Sequence, residues 1–190
     1  MFTPVLEYLV EGVSWIQADS LAEVAFYKQT TAFVEHVKTE GLYNSTIITG
    51  HSLGGGLAMI SGAQTEVPAI ALSGPNAVIS RRTFDPPVSI ASLEKYTFNI
   101  VPDRDVVPRL DDLSQNYQRI KCRSGLNDPL SCHFGRRSMC EILYQCGSKG
   151  RPIPCHCAND LEAVYKNSLE VSSTNTGEIL AEECPAKVES

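Results

Sequence analysis

Cysteine is missing from the first 121 of the 190 residues; all seven cysteines fall between positions 122 and 184. No two of them make a Cys-x-x-Cys pair, the spacing that favours tetrahedral zinc knuckles. Basic side chains are few, 16 against 22 acidic, for a net charge of −6. That balance argues against a nucleic-acid binder, which needs a basic face to displace counterions. No apolar run approaches the ~20 residues of a membrane-spanning helix. Residues 4–16 contain Glu7 and Glu11 with no basic residue before them, so they lack the positive start and unbroken apolar centre of a secretory leader. What is present is a globular composition, 43% hydrophobic and 20% charged, in a chain long enough for one domain with a real core.

Charge and cysteine are both unevenly spread. Residues 1–118 carry a net charge of −6, residues 119–151 a net +5 and residues 160–190 a net −5. The expected organisation is one domain over 1–171, cysteine-rich from about 119, followed by a loose acidic tail over 172–190. Clustered cysteines would form up to three disulfides and leave one thiol in an oxidising lumen, or hold zinc in a reducing cytosol. Cys155-His156-Cys157, with one residue between thiols, favours disulfides. Asn44-Ser45-Thr46 is a glycosylation sequon and adds a little to the same side.

Residues 19–40 read as a helix capped by Asp19 or Ser20, with Leu21, Val24, Ala25, Phe33, Val34 and Val37 as its apolar stripe and Gly41 as its stop. The β-branched run Ser45–Thr49 reads as a short buried strand. A glycine-rich turn follows, then a small-residue helix, Leu57–Gln64. Pro68–Ser73 and Lys95–Val101 read as further strands, with a loop or helix between them. Strands alternating with helices imply an α/β fold: a mostly parallel sheet with helices on both faces, followed by the cysteine-rich C-terminal segment. Within that segment Gly135–Cys146 reads as an amphipathic helix with Met139, Ile142, Leu143 and Cys146 on one face.

The chemistry lies in Gly50-His51-Ser52-Leu53-Gly54. A serine lifted clear of a sheet must sit on a sharp strand-to-helix turn, and side chains two positions to either side are expected to collide there, which calls for Gly50 and Gly54. The Leu53 amide, at the start of the next helix, can then donate to the oxyanion of a tetrahedral intermediate. A serine hydroxyl needs a histidine to take its proton and an acid to orient that histidine, in the chain order serine, acid, histidine. Asp103 and Asp105 both leave the Lys95–Val101 strand; Asp105, before the apolar Val106-Val107-Pro108, suits a partly buried carboxylate, and Asp103 suits a turn cap. His36 precedes the serine, and His51, inside the turn, is expected to pack or orient. His133 and His156 are the two candidate bases, each flanked by cysteine.

The run Ile47-Ile48-Thr49-Gly50-His51-Ser52-Leu53-Gly54-Gly55-Gly56-Leu57-Ala58 resembles the serine motif of class 3 (fungal-type) lipases, members of the α/β-hydrolase superfamily. The run Phe98-Asn99-Ile100-Val101-Pro102-Asp103-Arg104-Asp105-Val106-Val107-Pro108-Arg109-Leu110 resembles that family's acid segment, where the acid stands directly before a hydrophobic pair and proline. The resemblance covers roughly residues 18–112 and implies Asp105 as the acid. Cys132-His133-Phe134-Gly135 is similar to a Cys-His-Leu-Gly run in vacuolar, autophagy-linked members, which favours His133 over His156. It also implies a lipid acyl-ester substrate, no cofactor and no metal, and a secreted or endomembrane (vacuolar) lumenal location. The family's upstream strand ends in Arg-Gly-Thr and supplies a second oxyanion donor; no such run occurs here, and the expectation is an N-terminally truncated chain or one relying on Leu53 alone.

Three functions follow from these residues. The first is a serine ester hydrolase using Ser52, Asp105 and His133. The second is non-catalytic: a catalytically impaired lipase-like fragment or a binding domain that lacks the upstream oxyanion strand. The third is a zinc module within 122–157. The basic stretch 119–151 reads as a solvated face, with transient contact to anionic lipid surfaces as its alternative use.

Overall fold

A computed structural model describes residues 26–123, 130–146 and 154–157. By internal contact the chain divides into two compact units, one containing residues up to Val101 together with Asp105–Arg119, the other containing Pro102–Arg104 and the chain from Ile120.

The first unit is built on a parallel sheet. Helix α1 (Phe26–Glu40) leads to β1 (Ile48–His51), then α2 (Leu53–Thr65), β2 (Ala69–Leu72), α3 (Ile90–Tyr96) and β3 (Thr97–Pro102). A fourth strand, β4 (Tyr117–Ile120), completes the order β1-β2-β3-β4. Ile48 pairs with Ala69 and Ala69 with Thr97, both in parallel. Asn99 N donates to Asn116 O and Asp103 N to Ile120 O, an equal advance along both chains, so β3 and β4 also run parallel. The α/β fold with a parallel sheet is therefore present.

Helix α2 is the centre of this unit. Its small residues, from Gly55 and Gly56 through Ala58, Ser61 and Gly62 to Ala63, are buried. A Cβ on Gly55 would touch the Ala71 side chain and one on Gly62 the Ala69 side chain, so α2 lies on the sheet face made of Ala69 and Ala71. Ile70 and Phe98, on the opposite face, are each 40% exposed. The core gathers Ile60, Ala63, Ala77, Val88 and Leu93, with Tyr27 and Phe84 packed edge-on against each other, 5.2 Å between ring centres.

Helix α1 meets α2 through polar as well as apolar contacts. Thr31 Oγ1 donates within 2.8 Å of Gln64 Oε1 and 3.1 Å of Ser61 Oγ, while Lys38 Nζ reaches the Thr65 carbonyl. Its inward face thus follows Tyr27, Thr31, Val34 and Lys38, at helical spacing. Phe33, expected on the apolar stripe, falls outside that face and is 65% exposed. The expected cap at Asp19 or Ser20 lies outside the described residues, as does the 172–190 tail.

Among its described residues the second unit has little apolar core and much covalent bonding. Cys122 pairs with Cys132 and Cys140 with Cys157, with Cα atoms 5.8 and 5.2 Å apart, ordinary disulfide spans. Cys155 is also disulfide-bonded, and Cys146 is a free, exposed thiol. Paired sulfurs are compatible with an oxidising, secreted or lumenal compartment. Helix α4 (Gly135–Cys146) has the bounds its sequence pattern implies. Its inward face, however, holds Ser138, Cys140 and Glu141, while Met139 and Cys146 are exposed. The disulfide and the bonds to buried Glu141 set the helix's rotation: the carboxylate accepts from Arg123 N at 2.8 Å and Gln145 Nε2 at 3.1 Å, with Arg137 Nε at 3.8 Å. A buried carboxylate without such partners would be strongly unfavourable.

Candidate active site

Ser52 stands between β1 and α2 with φ 57° and ψ −129°, a backbone conformation that L residues rarely adopt. The neighbouring structure holds it there. Ser52 N donates to Leu72 O at 3.0 Å, adding a last rung to the β1–β2 ladder. Its carbonyl accepts from Gly55 N at 2.9 Å and Gly56 N at 3.1 Å, closing the first turn of α2. A serine held in this conformation between strand and helix, by bonds on both sides, is the backbone geometry that a nucleophile turn requires. Leu53 begins α2, so its amide is among those the helix leaves without an internal acceptor.

The glycines around this turn do different work. A Cβ on Gly50 would lie 2.2 Å from the Gly54 carbonyl oxygen, and one on Gly55 would lie 3.0 Å from both Gly50 O and Gly74 Cα. Glycine at 50 and 55 lets backbone approach backbone. Gly54, expected to be required for the same reason, has open space around its missing Cβ. The crowding falls on its carbonyl, which any residue carries. His51 ends β1 with an exposed side chain, so it does not serve the core.

The neighbouring strand repeats the exit. Ser73 leaves β2 at φ 56°, donates its amide to Ile100 O at 2.9 Å and is fully buried, with no partner for its hydroxyl. Beside it lies a polar network that sequence reasoning missed. Buried Asn99 accepts from Gly74 N at 3.3 Å and donates to Gly74 O at 2.9 Å and Asn76 Oδ1 at 3.1 Å. Asn76 Nδ2 in turn donates to the Pro108 carbonyl. Asp111 accepts from Ile79 N at 2.7 Å and from Ser80 N and Oγ at 3.1 and 2.9 Å. The segment 73–80 is thereby tied to the segment that follows β3. The signal was a single asparagine inside an otherwise apolar strand, Phe98-Asn99-Ile100-Val101.

Asp105 belongs to this tethered segment. It is fully buried, and its Oδ1 accepts from Val107 N at 3.0 Å, at the start of the 3₁₀ turn Val107–Arg109. Asp103 is half-buried and contributes its backbone amide to the β3–β4 pairing rather than a side-chain cap. Near these groups in sequence, three apolar side chains are conspicuously exposed: Leu53 at 64%, Val106 at 51% and Leu110 at 68%.

Both candidate histidines lie in the second unit. His133 is half-buried and follows disulfide-bonded Cys132; its amide donates to Leu130 O at 2.9 Å, just before α4 begins. His156 sits in a short helical turn between two disulfide-bonded cysteines, with its Nε2 buried and unbonded. Cys140, His156 and Cys157 bring ligand atoms within 4.8 Å of one another, but two of the three sulfur and nitrogen donors are joined as a disulfide. Zinc binds thiolates, and the sulfurs of Cys122, Cys132, Cys140, Cys155 and Cys157 are covalently paired, so the zinc reading of 122–157 has lost its donors.

Comparison with known families matches residues 5–114, more than half of the chain, to the family described as lipase (class 3). No curated protein and no solved structure matches it.

Proposed function

The chain belongs to the class 3 lipase family, whose chemistry is the hydrolysis of lipid esters, and from that premise we propose that it cleaves acyl esters of triacylglycerol or phospholipid type with Ser52, His133 and Asp105. The observation that carries this reading is the strained backbone of Ser52, pinned between β1 and α2. Ser52 Oγ attacks the acyl carbonyl while His133 takes its proton. Asp105 orients His133 and stabilises the imidazolium. The Leu53 amide donates to the oxyanion. His133 then returns the proton to the departing alcohol, and water, activated by the same histidine, releases the fatty acid from the acyl-enzyme. No cofactor or metal is required for these steps.

Asp105 is favoured over Asp103 by its full burial and its bond from Val107 N. His133 is favoured over His156 because a catalytic base needs a reachable nitrogen, and the His156 Nε2 is buried. The exposed Leu53, Val106 and Leu110 supply apolar surface suited to an acyl chain or transient contact with a lipid surface. Nothing in this reading calls on nucleic acid.

A second reading, impaired turnover, is favoured by one fact: the sequence contains no Arg-Gly-Thr run to supply another oxyanion donor. Loss of one donor typically lowers turnover about 10²–10³-fold. Labelling with a fluorophosphonate and hydrolysis of short and long acyl esters test both. Covalent labelling abolished by Ser52→Ala, with measurable turnover, supports the hydrolase; labelling that survives Ser52→Ala overturns it. Ser52-dependent labelling with turnover depressed by two to three decades relative to an ordinary serine esterase would identify the impaired form.

A further inference from the structure

Residues 41–47 connect α1 to β1 without regular structure and carry the only Asn-x-Ser/Thr triplet in the sequence, Asn44-Ser45-Thr46. Asn44 and Ser45 are exposed and Thr46 is half-buried. The acceptor amide therefore stands on an irregular surface connection, where a bulky sugar meets no packed element among the described residues. Three apolar side chains surround it in sequence, each mostly in water: Leu42 at 72%, Tyr43 at 67% and Ile47 at 62% exposed. Exposed apolar residues scattered singly need no explanation; three within six positions do.

We propose that Asn44 carries an N-linked oligosaccharide, and that this glycan covers the apolar side chains of Leu42, Tyr43 and Ile47. Two independent observations meet at this site. The sequon is exposed on a turn outside the sheet, and the paired cysteines are compatible with the oxidising lumen in which such transfer occurs. The donor is an oligosaccharide linked to a lipid through pyrophosphate. A bond forms between Asn44 Nδ2 and the anomeric carbon of the first sugar, the bond from that carbon to the pyrophosphate oxygen breaks, the lipid pyrophosphate leaves, and the amide proton passes to a base of the transferring enzyme. The position also spares the catalytic end of the unit: Asn44 precedes the amino end of β1, and Ser52 follows its carboxyl end. The glycan acts as a solubilising cover, with no part in the ester chemistry.

The test expresses the full chain behind a cleavable secretory leader in a eukaryotic host and examines both cell lysate and medium. Removal of N-linked sugars by a peptide-N-glycosidase, an amidase that hydrolyses the side-chain amide bond of the sugar-bearing asparagine, should give one downward step on a denaturing gel. Peptide mass spectrometry should find Asn44 converted to aspartate by that treatment. The step should vanish in Asn44→Gln and Thr46→Ala and persist in Thr46→Ser, which preserves the triplet. Because transfer precedes folding, the lysate reports it even for a variant that folds poorly. Disulfide-bonded protein with unmodified Asn44 would overturn the proposal, as would a step that survives Asn44→Gln. The covering role is read separately: Asn44→Gln should be recovered in lower soluble yield, and the additional change of Leu42, Tyr43 and Ile47 to serine should restore it. Equal soluble yields of the glycosylated chain and Asn44→Gln would overturn that part.

Discussion

The two units of this chain reach stability by opposite means. The first contains no cysteine and rests on close approach: α2 lies against β1 and β2 through glycine and alanine, and three pairs of parallel strands fix the register. The second, among its described residues, has a sparse apolar core, and its elements there are tied by Cys122–Cys132, Cys140–Cys157 and the bonds around Glu141. A packed seam tolerates no added volume, because interiors are as dense as organic crystals. A cross-linked unit tolerates poor packing, because its links restrict the unfolded chain. Of the residues proposed for catalysis, Ser52 and Asp105 come from the first kind of structure, and His133 from the second. The geometry of the proposed nucleophile should therefore be sensitive to single methyl groups, and the position of the proposed base to redox state.

The largest effect should come from Gly50→Ala. The added methyl would fall 2.2 Å from a backbone oxygen, with no flexible side chain to give way. We expect a loss of about 3 kcal/mol or more, read as a lower denaturation midpoint, together with loss of fluorophosphonate labelling. Hydrogen exchange should show β1 and β2 opening while the amides of α4 keep their protection. An unchanged midpoint would break the claim that the first unit depends on this seam. Next in size is the pair Cys140→Ser with Cys157→Ser, which opens a link between residues 17 apart in sequence. The chain-entropy account gives about 3 kcal/mol for a loop near that size. Here the loss of protection should fall on Gly135–Cys146 and spare the β1–β3 ladder. Equal loss in both regions would mean that the contrast between the units is wrong.

That contrast also explains what could be read from sequence. Local signals sufficed where one residue pattern dictates one geometry. The bounds of α4 follow from its helical period and from Gly147 just beyond it, and the serine turn follows from Gly50-His51-Ser52. Where long-range pairing decides, sequence pattern and structure part. The run Ser45–Thr49 is β-branched, yet β1 is Ile48–His51, because Gly50 and His51 continue the ladder opposite Ala71 and Leu72. Helix α2 begins at Leu53 rather than Leu57, since glycines that look like a loop fit only as a helix lying close on the sheet. Strand β3 starts two residues late, at Thr97, because Lys95 and Tyr96 finish α3. Strand β4 was invisible: of Tyr117, Gln118, Arg119 and Ile120 only the last is buried. In the second unit the pattern of sulfur pairing depends on three-dimensional proximity, which spacing alone does not reveal.

A smaller effect should follow from Asn99→Ala. The change leaves Gly74 N, Gly74 O and Asn76 Oδ1 without their buried partner. Buried polar groups stripped of a partner cost about 1–3 kcal/mol each, moderated here by relaxation of the segment 73–80. A loss of about 2 kcal/mol is expected from the thermal midpoint. The same variant sharpens the comparison at the acid. Asn76 binds the Pro108 carbonyl, so loosening the network should reduce turnover more than it weakens substrate binding. A stability loss with undiminished turnover would show that Asp105 is held independently of Asn99.

The smallest effect, and the most discriminating, belongs to Gly54→Ala. If glycine were needed on both sides of Ser52 for the fold, this variant would fail as Gly50→Ala does. The space around the missing Cβ is open, however, and Gly54 lies in the first turn of α2. Replacing glycine by alanine inside a helix gains up to about 1 kcal/mol, and less within the first turn. The denaturation midpoint should therefore hold or rise slightly. Labelling should be measured on the same sample, because the new methyl stands on the exposed side of the turn, two residues from the nucleophile. A stable variant that labels slowly would mean that Gly54 keeps the approach to Ser52 clear, whereas Gly50 allows the turn to form. A destabilised variant would place both glycines in the packed seam and remove the distinction between them.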